Sequence, residues 1–318
     1  MKVSCVIITH NRIDYLKRAV NSVTNQTYKN IELLVVDDAS DDGTDIYGKE
    51  LCKIGINYIR INKDQSKGGN YARNVGIKAS TGEFVAFLDD DDYWLPDKIE
   101  RQVKYANEHP DVGMIYGGLS YEFDHKILNY KSLPNPEFQG NLIDKEMFIS
   151  PFASTITLFV KRSLLQEIGG FDENMRYWQE YELEIRLMQK TLVGFIPDVV
   201  AVANRRGTVK RLTSQYDNWE ESVNYLYKKH KKLFDSLSEP MNRRKQEYYY
   251  REAAYRVSAI GDRKRMKEFY RKAYLINPKI EYKIRSILGL SKDNTIFLES
   301  CIRRYIYYRT SKKYKNII

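Results

Sequence analysis

Four consecutive aspartates, Asp89 to Asp92, follow the apolar segment Glu83–Leu88, which has the length and composition of a buried strand. Adjacent carboxylates repel one another and Asp is a poor strand residue, so the cluster costs stability unless a cation compensates it. Mg²⁺ is usually bound by one or two carboxylates together with substrate phosphates. Because Asp89 and Asp91 lie on the same side of an extended segment, we predict that both address one Mn²⁺ or Mg²⁺ ion. A solvated acidic loop is the alternative.

A second acidic pair, Asp37-Asp38, follows the predicted strand Ile31–Val36. In open α/β sheets, ligands bind beyond the carboxyl ends of the strands. An Asp in that position can accept a hydrogen bond from the base N–H of a bound nucleotide, and we predict this role for Asp38. Capping of the following turn is an equally good interpretation.

Two more segments are predicted at the same edge of the sheet. Thr9–Arg12 directly follows the first strand, and His10 can stack on a base or be a partly buried surface histidine. Gly68–Asn74 opens a helix, and its small residues let the chain pass close to a ligand. Arg73 in this segment supplies a positive charge for a diphosphate or a nearby acid, unless it forms a structural ion pair.

A candidate general base and a candidate lid occur later in the chain. Glu180, at a predicted helix start beside aromatic residues, can take the proton of an attacking hydroxyl. Its alternative role is that of a helix N-terminal acid favoured by the macrodipole. The run Asn204–Ser214 contains Gly207 and basic residues that can close over a diphosphate or form a basic surface loop. The predicted lid residues are Arg205, Arg206 and Arg211.

The elements that position these residues alternate between strand and helix in the first half of the chain. The apolar runs Val3–Ile8, Ile31–Val36 and Ile56–Ile61 predict strands, separated by segments with helical periodicity such as Gly69–Ala79. This alternation predicts an α/β domain with a mostly parallel central sheet flanked by helices. Beyond Asp217 the pattern changes to long helices rich in Tyr, Lys and Arg.

Composition narrows the classes of protein that fit. With 42% hydrophobic and 30% charged residues the chain is globular rather than disordered. No run reaches the roughly 18 apolar residues of a membrane-spanning helix, and Val3–Ile8 is too short for a signal peptide. Cys5, Cys52 and Cys301 lack metal-binding spacing and are predicted to be reduced thiols. We therefore expect a cytoplasmic location.

The net charge differs sharply between the two parts of the chain. Residues 1–200 carry 23 Lys and Arg against 30 Asp and Glu, a net charge of −7, whereas residues 201–318 carry 29 against 12, a net charge of +17. Basic, Tyr-rich helices can lie on an anionic membrane, and Ile302–Arg309 with Lys312 and Lys313 fits this best. The alternative is a solvated helical subdomain that packs on the catalytic domain or pairs with another subunit.

The order of the motifs resembles the family 2 glycosyltransferases of the GT-A fold, a Rossmann-like α/β fold. The resemblance covers about residues 2–215 and rests on segments that follow one another in the family's order: Ser4–Arg12, Asn25–Tyr28, Val35–Ser40, Asp42–Thr44, Ala72–Asn74, Gly76, Thr81–Glu83, Phe87–Asp92 and Gly169–Glu173. It implies a catalytic domain over residues 1–215 and a helical C-terminal extension over residues 216–318.

The resemblance also implies roles for individual residues. Asp89 and Asp91 would form the metal-binding DxD motif, and Glu180 would be the general base of the late acidic motif, where Asp is commoner. The predicted nucleotide-sugar-binding residues are Thr9, His10, Asn11, Arg12, Asp38, Arg73, Asp89 and Asp90. The family implies an inverting, metal-dependent transfer from a nucleotide diphosphate-sugar, with UDP favoured, to an acceptor hydroxyl. The Lys-, Asn-, Ile- and Tyr-rich composition suggests a role in bacterial surface polysaccharide, and the basic tail suggests a glycan or lipid-linked acceptor.

Two other functions fit parts of the sequence. A nucleotidyltransferase acting on sugar phosphates could use a similar nucleotide site and acidic metal site, but it would not need Glu180. A nucleic-acid-binding module would use the basic C-terminal part, yet no recognised motif accompanies that charge and the acidic first part would repel nucleic acid. We predict no nucleic-acid partner; homo-oligomers and peripheral membrane contact are further expectations.

Overall fold

The computed structural model describes residues 1–123, 130–205 and 216–289, and the chain divides into two compact units, Met1–Val209 and Lys210–Ile318. The predicted functional boundary between residues 215 and 216 stays a prediction.

In chain order the first unit contains β1 (Val3–Thr9), α1 (Ile13–Thr24), β2 (Ile31–Asp38), α2 (Thr44–Lys53), β3 (Asn57–Ile61), α3 (Gly69–Ala79), β4 (Phe84–Asp89), β5 (Tyr93–Trp94), α4 (Lys98–Glu108), β6 (Val112–Phe123), β7 (Tyr130–Ser132), β8 (Phe159–Lys161), α5 (Arg162–Ile168), α6 (Gln179–Met188) and β9 (Leu192–Arg205).

One mixed sheet carries the first unit. Its strand order is β3-β2-β1-β4-β8-β6-β9-β5, with β7 paired to β6. The first four strands are parallel, β8 lies antiparallel between β4 and β6, and β9 is parallel to β6. The alternation of strands and helices thus produces the predicted α/β architecture, with a parallel half that contains the acidic strand ends.

Strand β1 is buried on both faces because helices cover both sides of the sheet. Cys5 and Ile7 share a core with Leu16 and other residues of α1, whereas Val6 faces α3. A Cβ on Gly76 of α3 would lie 2.3 Å from the Val6 side chain, so only glycine allows this close packing. With both faces covered, the carboxyl ends of the strands are left as the edge at which a ligand can bind.

The first turns of α1 and α4 are held by side chains distant in sequence. The cap position of α1 is Arg12, and Asn11 adopts a left-handed conformation with φ 54°. The Asp42 carboxylate accepts a hydrogen bond from the Ile13 backbone N–H at 2.9 Å. Helix α4 begins at Lys98, and its Ile99 backbone N–H donates to Gln26 Oε1 at 3.1 Å.

The described part of the second unit is helical, as predicted. It contains α7 (Tyr216–Lys229), α8 (Lys231–Asp235), α9 (Glu239–Ala259), α10 (Arg263–Ile276) and α11 (Ile280–Leu288). Asp262 caps α10 by accepting a hydrogen bond from the Arg265 backbone N–H at 2.9 Å. Among the residues that the structure describes, none of the helices combines the length and apolar character needed to cross a membrane. The segment 302–313 lies outside the described residues.

Candidate active site

The register of the parallel strands brings the predicted site residues to one edge. Thr9 at the end of β1 pairs with Asp37 of β2, and Ile8 pairs with Asp89 of β4. The loops that follow these three strands therefore start side by side. This arrangement is the physical basis for treating the two acidic clusters as parts of one site.

The acidic run leaves β4 through a turn, not as the extended segment expected from the sequence. The Asp92 backbone N–H donates to the Asp89 carbonyl at 3.1 Å, which closes the turn. The side chains of Asp89 and Asp91 are 31% and 40% exposed, whereas Asp90 is buried. Two carboxylates of the run are thus accessible to a ligand, and the one between them is turned inward.

The inward carboxylate of Asp90 holds the loop that follows β1. It accepts hydrogen bonds from Thr9 Oγ1 at 2.8 Å and from Arg12 Nη1 at 3.0 Å. Arg12 Nη1 also lies 3.0 Å from Asp91 Oδ2 and so links the buried and the exposed carboxylates. Burial raises the pKa of Asp90 to about 7, against the opposing effects of Arg12 and Thr9. Thr9 and Asp90 therefore have contacts typical of supporting residues.

Arg73 joins the acidic loop to the start of α6. Its Nη2 lies 2.6 Å from Asp89 Oδ1, and its Nη1 donates to Gln179 Oε1 at 3.1 Å and to Asn70 Oδ1 at 3.3 Å. The guanidinium is buried, with its carbon 5.4 Å from the centre of the Phe171 ring. These contacts form the structural ion pair that was the alternative role predicted for Arg73. They also bring α6, the helix that carries the predicted base, to the acidic end of β4.

Glu180 occupies the second position of α6, one turn before a buried carboxylate. Glu184 is fully buried and accepts hydrogen bonds from the backbone N–H groups of Phe152 at 3.3 Å and Ala153 at 3.1 Å. Burial, followed by the charge of Glu180, raises the pKa of Glu184 well above its ordinary value. Glu180 is itself half-buried, so it stands at the boundary between the protein interior and the site.

At the end of β2 the two acids have different environments. Asp37 accepts hydrogen bonds from Tyr58 at 2.5 Å, Arg60 at 2.8 Å and the Ser40 backbone N–H at 2.9 Å. Asp38 is also buried, but only its Oδ2 accepts a hydrogen bond, from the Gly68 backbone N–H at 3.1 Å. Its Oδ1 is buried without a hydrogen-bond partner. A buried carboxylate oxygen in this state is prepared to accept a donor from a ligand.

The loop after β1 completes this part of the site. His10 Nδ1 lies 2.6 Å from the Asp38 carbonyl oxygen, so this ring nitrogen donates, and the His10 side chain is exposed. The Asn11 backbone N–H donates to Ser40 Oγ at 2.9 Å, and Asn11 Oδ1 accepts from the Asp41 backbone N–H at 2.7 Å. These bonds tie the loops after β1 and β2 together.

The predicted lid begins next to the acidic loop. The Asn204 backbone N–H in β9 donates to Asp92 Oδ1 at 2.8 Å. Arg205 ends β9, and only its backbone belongs to the described part of the chain. Arg206 and Arg211 lie outside the described residues, so the lid stays a prediction.

Residues that the sequence did not single out hold the site together. Gln179 binds Arg73, Arg18 donates to the Asp91 carbonyl, and Asn70 Nδ2 donates to the Asp172 and Met175 carbonyls at 2.7 Å and 2.9 Å. Their partners are 73 to 106 positions away along the chain. A local signal existed only for Asn70, which lies within the recognised segment Gly68–Asn74, and for Gln179, which precedes the predicted base Glu180.

The carboxylates fit a metal ion that arrives with its substrate. Within the described ranges, no group of three or more His, Cys, Asp and Glu side chains is arranged to bind a metal ion by itself. Mg²⁺ and similar ions need only one or two protein carboxylates when substrate phosphates supply further oxygens. Asp89 and Asp91 meet that requirement, since both side chains are partly exposed and the ion pairs with Arg73 and Arg12 each engage one carboxylate oxygen, Asp89 Oδ1 and Asp91 Oδ2.

The sheet presents carboxylates at neighbouring parallel strand ends, beside the start of α6, and this is the edge of an open α/β sheet at which ligands generally bind. The chain belongs to Glycosyl transferase family 2, whose family model matches residues 4–169. This match includes both acidic clusters and ends before Glu180.

Sequence relatives agree with the family. An uncharacterized glycosyltransferase of Rickettsia typhi is 30% identical over 206 residues, which are 62% of this chain and 62% of that protein. A Campylobacter jejuni GalNAc(5)-diNAcBac-PP-undecaprenol beta-1,3-glucosyltransferase is 31% identical over 189 residues, 57% of this chain and 56% of that protein. The chain thus spans less than two thirds of the length of these relatives.

Solved structures show the GT-A fold. S. aureus TarS 1-349 in complex with UDP-GlcNAc has a TM-score of 0.56 at 17% identity, covering 96% of this chain and 92% of that one. The mannosyltransferase PcManGT of Pyrobaculum calidifontis, in complex with GDP-Man and Mn²⁺, also gives 0.56 at 17% identity, covering 98% and 83%. The predicted GT-A fold with a C-terminal helical extension is confirmed.

Proposed function

We propose that this chain transfers a sugar from a nucleotide diphosphate-sugar to an acceptor hydroxyl, with inversion at the anomeric carbon. One observation carries the proposal: Arg73 contacts both Asp89 and Gln179, which supports treating the acidic strand end and the start of α6 as parts of one site. A donor bound at the acids would then have its sugar facing Glu180.

The donor's nucleoside would bind between the loops after β1 and β2. The Asp38 Oδ1 atom would accept a hydrogen bond from the base, and the exposed ring of His10 would lie against the base face. UDP is our proposed nucleotide; TarS was solved with UDP-GlcNAc and PcManGT with GDP-Man, so family structures accommodate different bases.

The donor's diphosphate would bind beside Asp89 and Asp91, which would hold Mn²⁺ or Mg²⁺. The metal ion, when bound, offsets the charge of the departing nucleoside diphosphate. Arg12 keeps the Asp91 carboxylate in place through the 3.0 Å ion pair, and Asp90 in turn holds Arg12. A group fixed before the reaction stabilises developing charge without reorganisation.

Glu180 would act as the general base. It takes the proton of the acceptor hydroxyl while that oxygen forms a bond to the anomeric carbon and the bond to the diphosphate oxygen breaks. The buried Glu184 carboxylate one turn away fixes the backbone at Phe152 and Ala153, and so shapes the wall beside Glu180.

The acceptor would be a bacterial surface glycan or its lipid-linked precursor. The name of the Campylobacter relative describes transfer to an undecaprenol-linked glycan, and a similar acceptor would suit this chain. The alternative, a nucleotidyltransferase acting on sugar phosphates, has no support from the family match.

The test is a donor-hydrolysis and transfer screen across nucleotide-sugars with Mn²⁺ or Mg²⁺, repeated with EDTA. We expect Glu180→Gln to lower turnover by about 10²- to 10⁴-fold, because the amide cannot take a proton. Glu50→Gln, an exposed position in α2, is the matched control and should leave turnover unchanged. Full turnover of Glu180→Gln would favour the nucleotidyltransferase, and turnover undiminished by EDTA would contradict the metal assignment.

A further inference from the structure

Helix α11 packs with its polar side inward. This helix belongs to the second unit, and its two buried side chains are Tyr282 and Arg285. The Tyr282 hydroxyl donates to Glu247 Oε1 at 2.7 Å, and Arg285 Nη1 donates to the Tyr270 hydroxyl at 3.2 Å. The helix is therefore attached to its neighbours by hydrogen bonds and ring contacts, and not by its aliphatic residues.

The aliphatic residues of α11 face outward. Ile280 and Ile287 are 67% and 62% exposed, Leu288 is also exposed, and Ile284 is half-buried. Their positions i, i+4, i+7 and i+8 place them on one side of the helix, which we call the apolar face. A helix normally turns such a stripe toward the protein core, so an outward stripe marks a surface that meets another apolar phase.

Basic side chains outnumber acidic ones around the apolar face, although α11 also carries the exposed acid Glu281 and Lys279 Nζ is paired with Glu247 Oε1 at 3.0 Å. Lys279 and Lys283 are exposed on and beside α11, and a Cβ on Gly289 would lie 2.7 Å from Lys267 Cε, which places Lys267 at the end of the helix. Residues 263–288 carry nine Lys and Arg against two Asp and Glu, a net charge of +7. Aliphatic side chains rimmed by cations match the boundary between acyl chains and anionic headgroups.

We propose that the apolar face of α11 docks this chain on an anionic lipid bilayer, with Ile280, Ile287 and Leu288 entering the headgroup boundary and Lys283 contacting lipid phosphates. Lipid fits better than a protein partner because both the aliphatic stripe and the excess of positive charge find a complement there. The helix lies in the interface and does not cross the membrane. This proposal does not depend on the catalytic role of the first unit, and its test does not use enzyme activity.

The experiment is flotation of the full chain with vesicles of phosphatidylglycerol and phosphatidylcholine, and with vesicles of phosphatidylcholine alone. We expect the chain to float with the anionic vesicles and to be released by high salt. The double variant Ile280→Ser with Ile287→Ser should reduce the floated fraction by about tenfold or more, because it removes aliphatic area from the bilayer contact. The matched control is Ile46→Ser with Ile54→Ser, at positions 62% and 72% exposed in and after α2, and it should float like wild type.

A second variant separates binding from folding. Lys283→Glu changes an exposed charge without altering the apolar face, and it should weaken flotation on anionic vesicles while the circular dichroism spectrum and thermal midpoint stay as in wild type. The proposal is overturned if wild type does not float, or if the Ile280/Ile287 variant floats equally well. Equal flotation with a lower thermal midpoint would assign the face to another segment of this chain, and equal flotation with a changed sedimentation mass would assign it to a second copy.

Discussion

The acidic clusters at the ends of β2 and β4 are built alike, but they differ in which carboxylate oxygens remain available to a ligand. Each contains one carboxylate that is fully engaged by the protein: Asp37 by Tyr58, Arg60 and Ser40, and Asp90 by Thr9 and Arg12. At the end of β2 the remaining acid is buried with one unpartnered oxygen, whereas at the end of β4 Asp89 and Asp91 are partly exposed and are paired with Arg73 and Arg12.

This difference indicates a division of labour. A buried oxygen without a partner suits a single directed hydrogen bond, such as one from a nucleotide base. Two partly exposed carboxylates suit a hydrated ion and the phosphates that come with it. In both places the engaged acid holds the loop that carries the others, so we propose that the remaining acids of each cluster are the ones that bind ligand.

The largest expected effect is on donor turnover, and it distinguishes Asp91 from a surface acid of similar exposure. Asp91→Asn should lower donor turnover by about 10²-fold or more, because the neutral amide balances a divalent ion poorly. Asp45→Asn is the matched control: Asp45 is 39% exposed and pairs with Lys49, as Asp91 is 40% exposed and pairs with Arg12. The measurement is the steady-state rate of donor turnover by each variant at saturating Mn²⁺. Equal rates for the two variants would remove the metal-binding role from β4.

The next effect concerns stability and tests the role of the engaged acid in β2. Asp37→Ala should lower the free energy of unfolding by about 2–4 kcal/mol, because Tyr58 and Arg60 lose a buried acceptor. Asp38→Asn should change it by less than about 1 kcal/mol, since Asp38 makes one side-chain hydrogen bond. Urea unfolding of both variants checks this. Similar losses would mean that the two acids are not divided as we describe.

The sequence located the acidic clusters but could not assign their members. Helix α3 and the strands that end at Asp38 and Asp89 follow from local periodicity, and they were predicted within about two residues. The turn that hides Asp90 depends on Thr9 and Arg12, which are 81 and 78 positions away. For the same reason the antiparallel strand β8, inserted between β4 and β6, has no signature in its own three residues.

A smaller expected effect concerns the pH dependence of stability that comes from Lys98, a buried lysine in α4. Lys98 is fully buried, its Nζ donates to Gln102 Oε1 at 2.7 Å and lies 4.2 Å from the Trp94 ring centre, and burial lowers its pKa to about 7. The unfolded chain keeps the Lys98 proton up to a pH of about 10.5, whereas the folded chain releases it near 7. Stability contributed by this site therefore rises with pH between these values.

Comparison with Lys98→Met isolates this contribution. The difference in unfolding free energy, wild type minus variant, should increase by on the order of 2 kcal/mol from pH 7 to the highest pH at which both proteins unfold reversibly. Gln102→Glu, which leaves the lysine in place and adds an acid beside it, should shift the increase to higher pH. A difference that does not change with pH would show that Lys98 is charged in the folded protein.

The most direct test of the central claim asks whether the nucleoside binds at the end of β2 and the diphosphate at the end of β4. Binding of UDP and of uridine, or of the pair chosen by the hydrolysis screen, is measured by calorimetry with Mn²⁺ and with EDTA. We predict that Asp38→Asn weakens both ligands, and that Asp91→Asn weakens only the diphosphate and removes its dependence on Mn²⁺. Diphosphate binding that is insensitive to EDTA in wild type, or equal losses for both ligands in both variants, would contradict a single site built from the two ends.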